Sequence, residues 1–358
     1  MISLGFITMY PNQEKLYATE IATRAFDHGI QLYRFTPTSI EPTTEMVRGE
    51  IFNNDTKEWD AAVFEIPSYL YDRCFYSFDG VSKKSQPIMN WLKMRPSCHF
   101  LGQGLPNKWD IYEVLIQDKV LAPYIPPTEQ AVSPTAILHS LMKAHQIILK
   151  PEKGSMGKGI ISLSLHRNYA EAVYKDNQQL EAKQFTTRAE LKKWIEGILS
   201  SQPYLIQKYL PLQDENNCPF DIRILLQKNQ LGEWVEQGRG IRRGLPDHII
   251  SNLGGGGEIL SFDEWSDNMA TAEKLLLFDN IHTITTRLPF VLEENFSPLF
   301  ELGVDVGLSK DGALWLLDSN SKPGRKVILE TSPDKHDKLY TAPLHYCLYL
   351  HSQQSIRS

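Results

Sequence analysis

Residues 301–320, ELGVDVGLSKDGALWLLDSN, admit little besides a β-hairpin. Asp311-Gly312 suits a two-residue type I′ turn, and apolar residues alternate on both sides of it. Before the turn, Leu302, Val304, Val306 and Leu308 share one face, and Gly303, Asp305 and Gly307 share the other. After it, Leu314, Leu316, Asp318 and Asn320 fall on one face. With Asp311 and Gly312 as the loop, Lys310 pairs with Ala313. Counting back sets Asp305 opposite Asp318 and Gly303 opposite Asn320. Like charges directly opposed destabilise a ladder. A divalent cation turns that repulsion into a site, because Mg²⁺ takes one or two carboxylates plus phosphate oxygens and water. Asn320 adds a neutral oxygen two residues along. The alternative is a pair of solvated acids at a sheet edge.

Residues 149–160, LKPEKGSMGKGI, have the look of a phosphate loop but fail the GxxxxGK[ST] pattern twice. Gly159 follows Lys158 where a hydroxyl is required, and IISLSL after the loop is strand-like rather than a helix start. The loop therefore joins two strands. Gly154, Gly157 and Gly159 allow a flap that turns backbone N–H groups toward an anion, or simply a mobile hairpin tip.

The first hundred residues alternate strand, helix and strand. LGFITMY, QLYRF and DAAVFEI read as strands, and a helix carries Ile21, Ala22, Ala25 and Phe26 on one side, stopped by Gly29. This predicts an open α/β domain, and no GxGxxG supports a dinucleotide fold. A helix from Lys108 to Gln117 and a proline-rich stretch follow. Ser133-Pro134 opens a second helix as N-cap and first helical residue, and the Thr187–Glu190 capping box opens a third. PYLIQKYLPL is a strand running into a proline turn, and residues 265–288 read as one long helix. In FDIRILL, Asp221 and Arg223 share a face. GRGIRRGLPDHIISNLGGGGEI supplies Arg239, Arg242, Arg243, Asn252 and four glycines. Arginine forks suit phosphate oxygens, and a glycine run permits close backbone approach; surface arginines on a floppy loop are the plain alternative.

Length and composition narrow the class. The chain has 358 residues, enough for two or three domains, and a net charge of −6 from 37 basic and 43 acidic residues. No basic block marks a nucleic-acid binder, and no apolar run approaches the ~20 residues of a membrane span. The N-terminus does not read as a signal peptide. Cys74, Cys98, Cys218 and Cys347 lie far apart, as free thiols in a reducing cytosol would.

Taken in order, the features run from Lys119 after the α/β domain to Lys150 on a strand, the glycine-rich flap, LIQKYL, DIR, paired arginines, SNLGGGG, and an acidic hairpin ending DSNSKPG. This series resembles the ATP-grasp superfamily, and within it the YheC/YheD-type, spore-coat-associated proteins. It is also similar to ligases that add glutamate to carboxylates. The resemblance covers roughly residues 110–345. It implies a pre-ATP-grasp α/β domain over 1–105 and a two-lobed ATP-grasp domain over 106–358. The lobe bearing the lid and flap would span 106–207, and the metal- and phosphate-binding lobe 208–358. It further implies that Lys119 and Lys150 grip the α- and β-phosphates. Ser155, Met156, Gly157 and Lys158 would close over them, and the main chain of Lys208 and Leu210, with Gln207 beside it, would read adenine. Asp214 would take the ribose. Asp305, Asp318 and Asn320 would hold one or two Mg²⁺ ions, with Mn²⁺ as a substitute. Arg223, Arg243 and Asn252 would hold the γ-phosphate and an acyl phosphate. Asp318 stands where the superfamily most often has Glu.

The implied reaction is ADP-forming carboxylate–amine ligation on small-molecule or peptide substrates, in the cytoplasm or at the spore coat, with coat proteins as partners and an oligomer as one assembly. A nucleotide-binding structural component of the coat, or an ATP-grasp kinase, are the rival implications.

Overall fold

The computed structural model describes residues 1–357 apart from 78, 155–156, 177–178, 247–250 and 252–255, and gathers its strands into three sheets. The first sheet comprises β1 (Ile2–Ile7), β2 (Ile30–Phe35), β3 (Met46–Asn53), β4 (Glu58–Glu65), β5 (Tyr69–Asp72) and β6 (His99–Phe100), in the order β4-β3-β2-β1-β5-β6. β2, β1, β5 and β6 are parallel neighbours, while β3 and β4 extend the sheet as an antiparallel hairpin. The helix α1 (Lys15–Ala25) buries Ile21, Ala22 and Ala25 as its spacing predicts. Phe26 is 51 % exposed, because the chain tightens into a 3₁₀ turn at Phe26–His28 and swings that ring off the apolar stripe. Gly29 ends the turn at φ +68°, a conformation that costs a side-chain-bearing residue energy. The helix α2 (Gly80–Met94) is capped by Asp79.

After α3 (Lys108–Leu115), the second sheet holds β7 (Thr128–Gln130), β8 (Gln146–Pro151), β9 (Ile161–Leu165), β10 (Ala170–Asp176), β11 (Gln179–Phe185) and β12 (Tyr204–Lys208). All its pairings are antiparallel, in the order β11-β10-β9-β8-β12-β7. The helices α4 (Pro134–Ala144) and α5 (Arg188–Leu199) cover one face. Both expected caps are made: Ser133 Oγ accepts from Ala136 N at 3.1 Å, and Thr187 and Glu190 close their capping box. β8 and β9 pair as a hairpin around the glycine-rich loop, so that loop leads no helix. Gly154, Gly157 and Gly159 all have positive φ.

The third sheet, β13 (Phe220–Lys228), β14 (Trp234–Arg243), β15 (Glu258–Ser261), β16 (Glu301–Leu308) and β17 (Leu314–Asn320), is antiparallel in the order β15-β14-β13-β16-β17. The expected single long helix is two: α6 (Phe262–Ser266) and α7 (Thr271–Asn295). Ile281, Ile284 and Leu288 of α7 pack on Ile222, Ile224, Val304 and Val306. α8 (Lys326–Thr331) follows β17. α9 (His336–Arg357) returns to the first sheet, where Ala342, Leu344, Tyr346 and Cys347 share a core with Leu4, Phe6, Ile21 and Tyr71. No helix among the described residues is long and apolar enough to cross a membrane.

Candidate active site

A cleft lies between the second and third sheets. Alternation along β8 sends Leu149 into the core beneath α4 and α5 and turns Lys150 to the other face. On β12, Tyr204 and Ile206 enter that core, while Leu205 and Gln207 line the cleft. Leu205 pairs with Lys150 and Gln207 with Ile148. The opposite wall is β17, from Leu316 to Ser319, and one end is closed by Ile111, Tyr112 and Leu115 of α3 with Ile125 and Pro126. These apolar groups form a slot that suits a flat ring, with charged groups at its far end. Gln207 donates to Thr128 Oγ1 at 3.0 Å. β7 begins at Thr128, opposite Gln207, and beyond it come Pro127 and Pro126, which have no N–H to offer. The edge of β12 past Gln207 is thus left without a strand donor, beside Lys208.

The hairpin β16–β17 meets the expected register by an unexpected route. Three residues, 310–312, form the loop: Ser309 N donates to Ala313 O at 3.0 Å, and Gly312 has φ +82°. That longer loop offsets the strands by one, pairing Leu308 with Leu314 and Val306 with Leu316. A β-bulge at Leu317 then restores the offset, so Asp305 does face Asp318 and Gly303 does face Asn320. The bulge has a function in packing. Leu316 stays in the core with Val306, and Asp318 swings to the opposite face with Asp305.

Four strands of the third sheet deliver charge to that face. Arg223 Nη1 reaches Asp305 Oδ1 at 2.5 Å, and Arg242 Nη2 reaches Asp305 Oδ2 at 2.8 Å. Arg242 also grips Asp221 with two hydrogen bonds, of 2.7 and 2.8 Å. Ser251 Oγ donates to the same carboxylate. Burial pushes the Asp305 carboxyl up, but the Arg223 and Arg242 guanidiniums more than offset this and hold it well below the usual carboxylate range. Burial drives the Lys150 ammonium down to about 8; Asp318 supports its charge and Lys108 opposes it. Lys108 Nζ is ion-paired to Asp318 Oδ1.

Gly303 makes this crossing possible. A Cβ there would lie 2.7 Å from Arg223 Nη2 and 2.8 Å from Pro323 Cβ. Gly303→Ala is therefore expected to push Arg223 off Asp305 and to cost about 1–3 kcal/mol of stability. Thermal melts check this against Gly80→Ala, where a Cβ meets nothing within 4 Å. Equal melting temperatures would mean that Arg223 does not need the gap.

Magnesium fits part of the predicted donor set. Asp318 Oδ2 and Asn320 Oδ1 are hard oxygens on one strand, and among the described residues no group donates a hydrogen bond to either. Two such oxygens suffice where phosphate and water complete the shell. Asp305 has both oxygens engaged by arginine. Among the described residues no three His, Cys, Asp or Glu side chains gather as a metal cluster.

Not every residue picked from the sequence reaches the cleft. Lys119 is exposed on the turn after α3 and does not line it; Lys108, eleven residues earlier, does. A lysine at the first position of a helix sits at the positive end of the dipole, a mildly unfavourable place that a nearby anion offsets. That misplacement was the available signal, and Asp318 is the anion. Asp214 fastens its own turn: Oδ1 accepts from Asn216 N and Cys218 N, both at 2.9 Å, and Oδ2 takes Arg243 Nε at 2.6 Å. Its carboxylate is committed to that turn rather than free for a ribose. Arg243 divides between Asp214 and Glu258, because strand alternation puts it on the face away from Arg242. Arg242, not Arg243, reaches Asp305. Lys158 is exposed and, like Gly157, Lys208 and Leu210, does not line the cleft; Arg223, Asp305 and Asn320 do not line it either, but join it through Asp318, which Asp305 faces across the hairpin. Ser155, Met156 and Asn252 lie outside the described residues.

Comparison with known proteins agrees with this architecture. A family model described as YheC/D like ATP-grasp matches residues 97–350. The chain is 42 % identical, over 99 % of its length and 98 % of the relative's, to a protein from Bacillus subtilis (strain 168) described as endospore coat-associated protein YheC. Among solved structures, D-alanyl-alanine synthetase A from Vibrio cholerae O1 biovar eltor superposes with a TM-score of 0.53 at 10 % identity, covering 97 % of this chain and 98 % of that one. D-cycloserine synthetase DcsG superposes with a TM-score of 0.53 at 11 % identity, covering 96 % and 98 %. At such identities the likeness is one of fold.

Proposed function

This chain belongs to the YheC/D-like ATP-grasp family, and from that premise we propose that it is an ATP- and magnesium-dependent carboxylate–amine ligase acting at the endospore coat. The γ-phosphoryl group passes to a substrate carboxylate oxygen, giving an acyl phosphate and ADP. An amine then attacks the acyl carbon and phosphate leaves. The observation that carries the reading is the convergence of Lys150 and Lys108 with Asp318 in one cleft between two sheets, beside an apolar slot.

In this reading adenine enters the slot and bonds the open edge of β12 at the main chain of Lys208 and Leu210. Lys150 and Lys108 hold the phosphates, and the flap with Gly157 and Lys158 closes over them. Arg223 and Arg242 neutralise the transferring phosphoryl group. Asp318 and Asn320 would hold magnesium, which when bound supplies positive charge against the phosphate oxygens. The chain's own contribution is positioning and charge, and no side-chain nucleophile is required.

Lys150 gives the reading a pH signature. With its ammonium half-deprotonated at about 8 in the free protein, phosphate binding favours the charged form and takes up a proton. Nucleotide affinity should fall about tenfold per pH unit above 8 and level off below 7. Calorimetry in buffers of different ionisation heat should register about half a proton taken up at pH 8. A flat profile would mean that Lys150 takes up no proton on binding, and the nucleotide affinity of Lys150→Met would then decide whether it meets phosphate.

The product assay is decisive for the class. Incubation with panels of amino acids, peptides and carboxylic acids should release ADP and phosphate and yield an amide mass. AMP with pyrophosphate would indicate adenylation instead. Phosphorylated product without amide would indicate a kinase. A thermal shift with nucleotide but no turnover on any panel would favour a nucleotide-binding coat component.

A further inference from the structure

The geometry points to Lys108 as the group that couples nucleotide binding to metal binding: its ammonium holds the Asp318 carboxylate in the free protein and releases it when a polyphosphate arrives. This rests on the reading that the cleft holds a nucleotide.

Lys108 is tied to three parts of the molecule. It opens α3 behind the N-cap Asn107. Its backbone N–H donates to Glu152 O at 3.1 Å, at the root of the glycine-rich flap. Its side chain crosses to β17 and pairs with Asp318 Oδ1, 210 residues away in sequence. One residue thus touches the flap, a helix end and the strand that carries the hard oxygens.

Charge explains why the pair must switch. Lys108, Lys150, Arg223 and Arg242 face Asp221, Asp305 and Asp318. Without ligand, the carboxylates are already neutralised by cations of the chain. A divalent cation arriving alone would have to sit beside the Lys108 ammonium on a shared carboxylate, and the two repel. A polyphosphate reverses the preference. It offers Lys108 a richer anion, so the ammonium moves, and Asp318 is left with an oxygen and a negative charge for the metal. Each ligand therefore favours the other, and by linkage the coupling is reciprocal. Lys108 is also well placed to move. It is the part-exposed partner of a part-exposed carboxylate, whereas Arg223 and Arg242 are enclosed.

The test uses the full chain and Mn²⁺ as the probe, followed by electron paramagnetic resonance of free Mn²⁺. Wild type should bind Mn²⁺ alone weakly. Lys108→Met, which keeps the stem and removes the charge, should bind Mn²⁺ alone at least tenfold more tightly. Adding Asp318→Ala to that variant should erase the gain. Lys108→Arg should stay weak like wild type. In EDTA, Lys108→Met should bind an ATP analogue with a β,γ-imido bridge at least tenfold more weakly than wild type. If Lys108→Met melts early, Lys108→Gln serves in its place. Mn²⁺ affinity unchanged or lowered in both variants overturns the coupling while leaving the nucleotide site intact. Failure of wild type to bind the analogue with or without metal overturns the nucleotide site itself, and the coupling with it.

Discussion

Alanine at both Asp318 and Asn320 is expected to abolish the magnesium dependence of nucleotide binding and to lower turnover by a factor of about a thousand or more. Each side chain carries a hard oxygen to which no described protein group donates, and both project from the bulged end of β17. Asp305 cannot take over without surrendering Arg223 or Arg242, because each of its oxygens already holds a guanidinium. Metal-free nucleotide binding should survive, since Lys150 remains and Lys108 is released from its partner. Melting curves with nucleotide in magnesium and in EDTA separate the cases. The curves should coincide for the double variant and differ for wild type. A magnesium-dependent shift that persists in the variant would place the metal elsewhere and leave Asp318 only its ion pair.

Glu301→Ala is expected to be the most destabilising single substitution at the joint between the first and third sheets. Glu301 begins β16 and is 2 % exposed. Its carboxylate accepts Arg73 Nη1 at 2.7 Å, Tyr71 Oη at 2.7 Å, Arg325 Nη2 at 2.7 Å and Gln227 Nε2 at 3.1 Å. Arg73 is fully buried and holds Glu14 as well. Removing Glu301 leaves two enclosed guanidiniums short of a counter-charge, a change that costs about 3–5 kcal/mol. Glu301→Gln keeps acceptor capacity but loses the charge, and should fall between. The readout is the first thermal transition together with protease sensitivity around residues 73–105. If Glu301→Ala melts with wild type, the network is dispensable and the sheets are held by the apolar core around Phe300 and Tyr346 alone. Because Pro323 O accepts from both arginines, the joint also steadies the loop that follows Asn320.

Local chemistry was readable wherever one residue's neighbours along the chain settle the matter. The Ser133 and Thr187 caps, the β8–β9 hairpin in place of a phosphate-loop helix, and the shared face of Asp221 and Arg223 follow from spacing and turn residues. Two strands, β11 and β3, gave no such signal. β11, QLEAKQF, is exposed on both faces over residues 179–184, so no alternation of apolar and polar residues marks it. β3 buries only Val47 and Phe52, five residues apart and so on opposite faces, while its partner β4 was legible as DAAVFEI. The pairing of Asp305 with Asp318 was expected from a two-residue loop. It arises instead from a three-residue loop corrected by a bulge, two departures that cancel.

The sequence by itself determined the two faces of the regularly alternating strands such as β8 and β13, the order of lysines, arginines and acids along the chain, and with them the family; the bulge that turns Asp318 away from Leu316 it did not show. Which member of a pair joins the charged cluster at the cleft was decided only by tertiary structure. Arg242 and Arg243 are interchangeable in a list but lie on opposite faces, and the register of β14 against β13 sets Arg242 beside Asp221. Lys108 and Lys119 flank the same short helix, and packing of Ile111 and Leu115 into the core turns the first toward Asp318. Side-chain period is local, whereas register is set by burying apolar residues against α7, and a one-residue slip carries a charge to the other face.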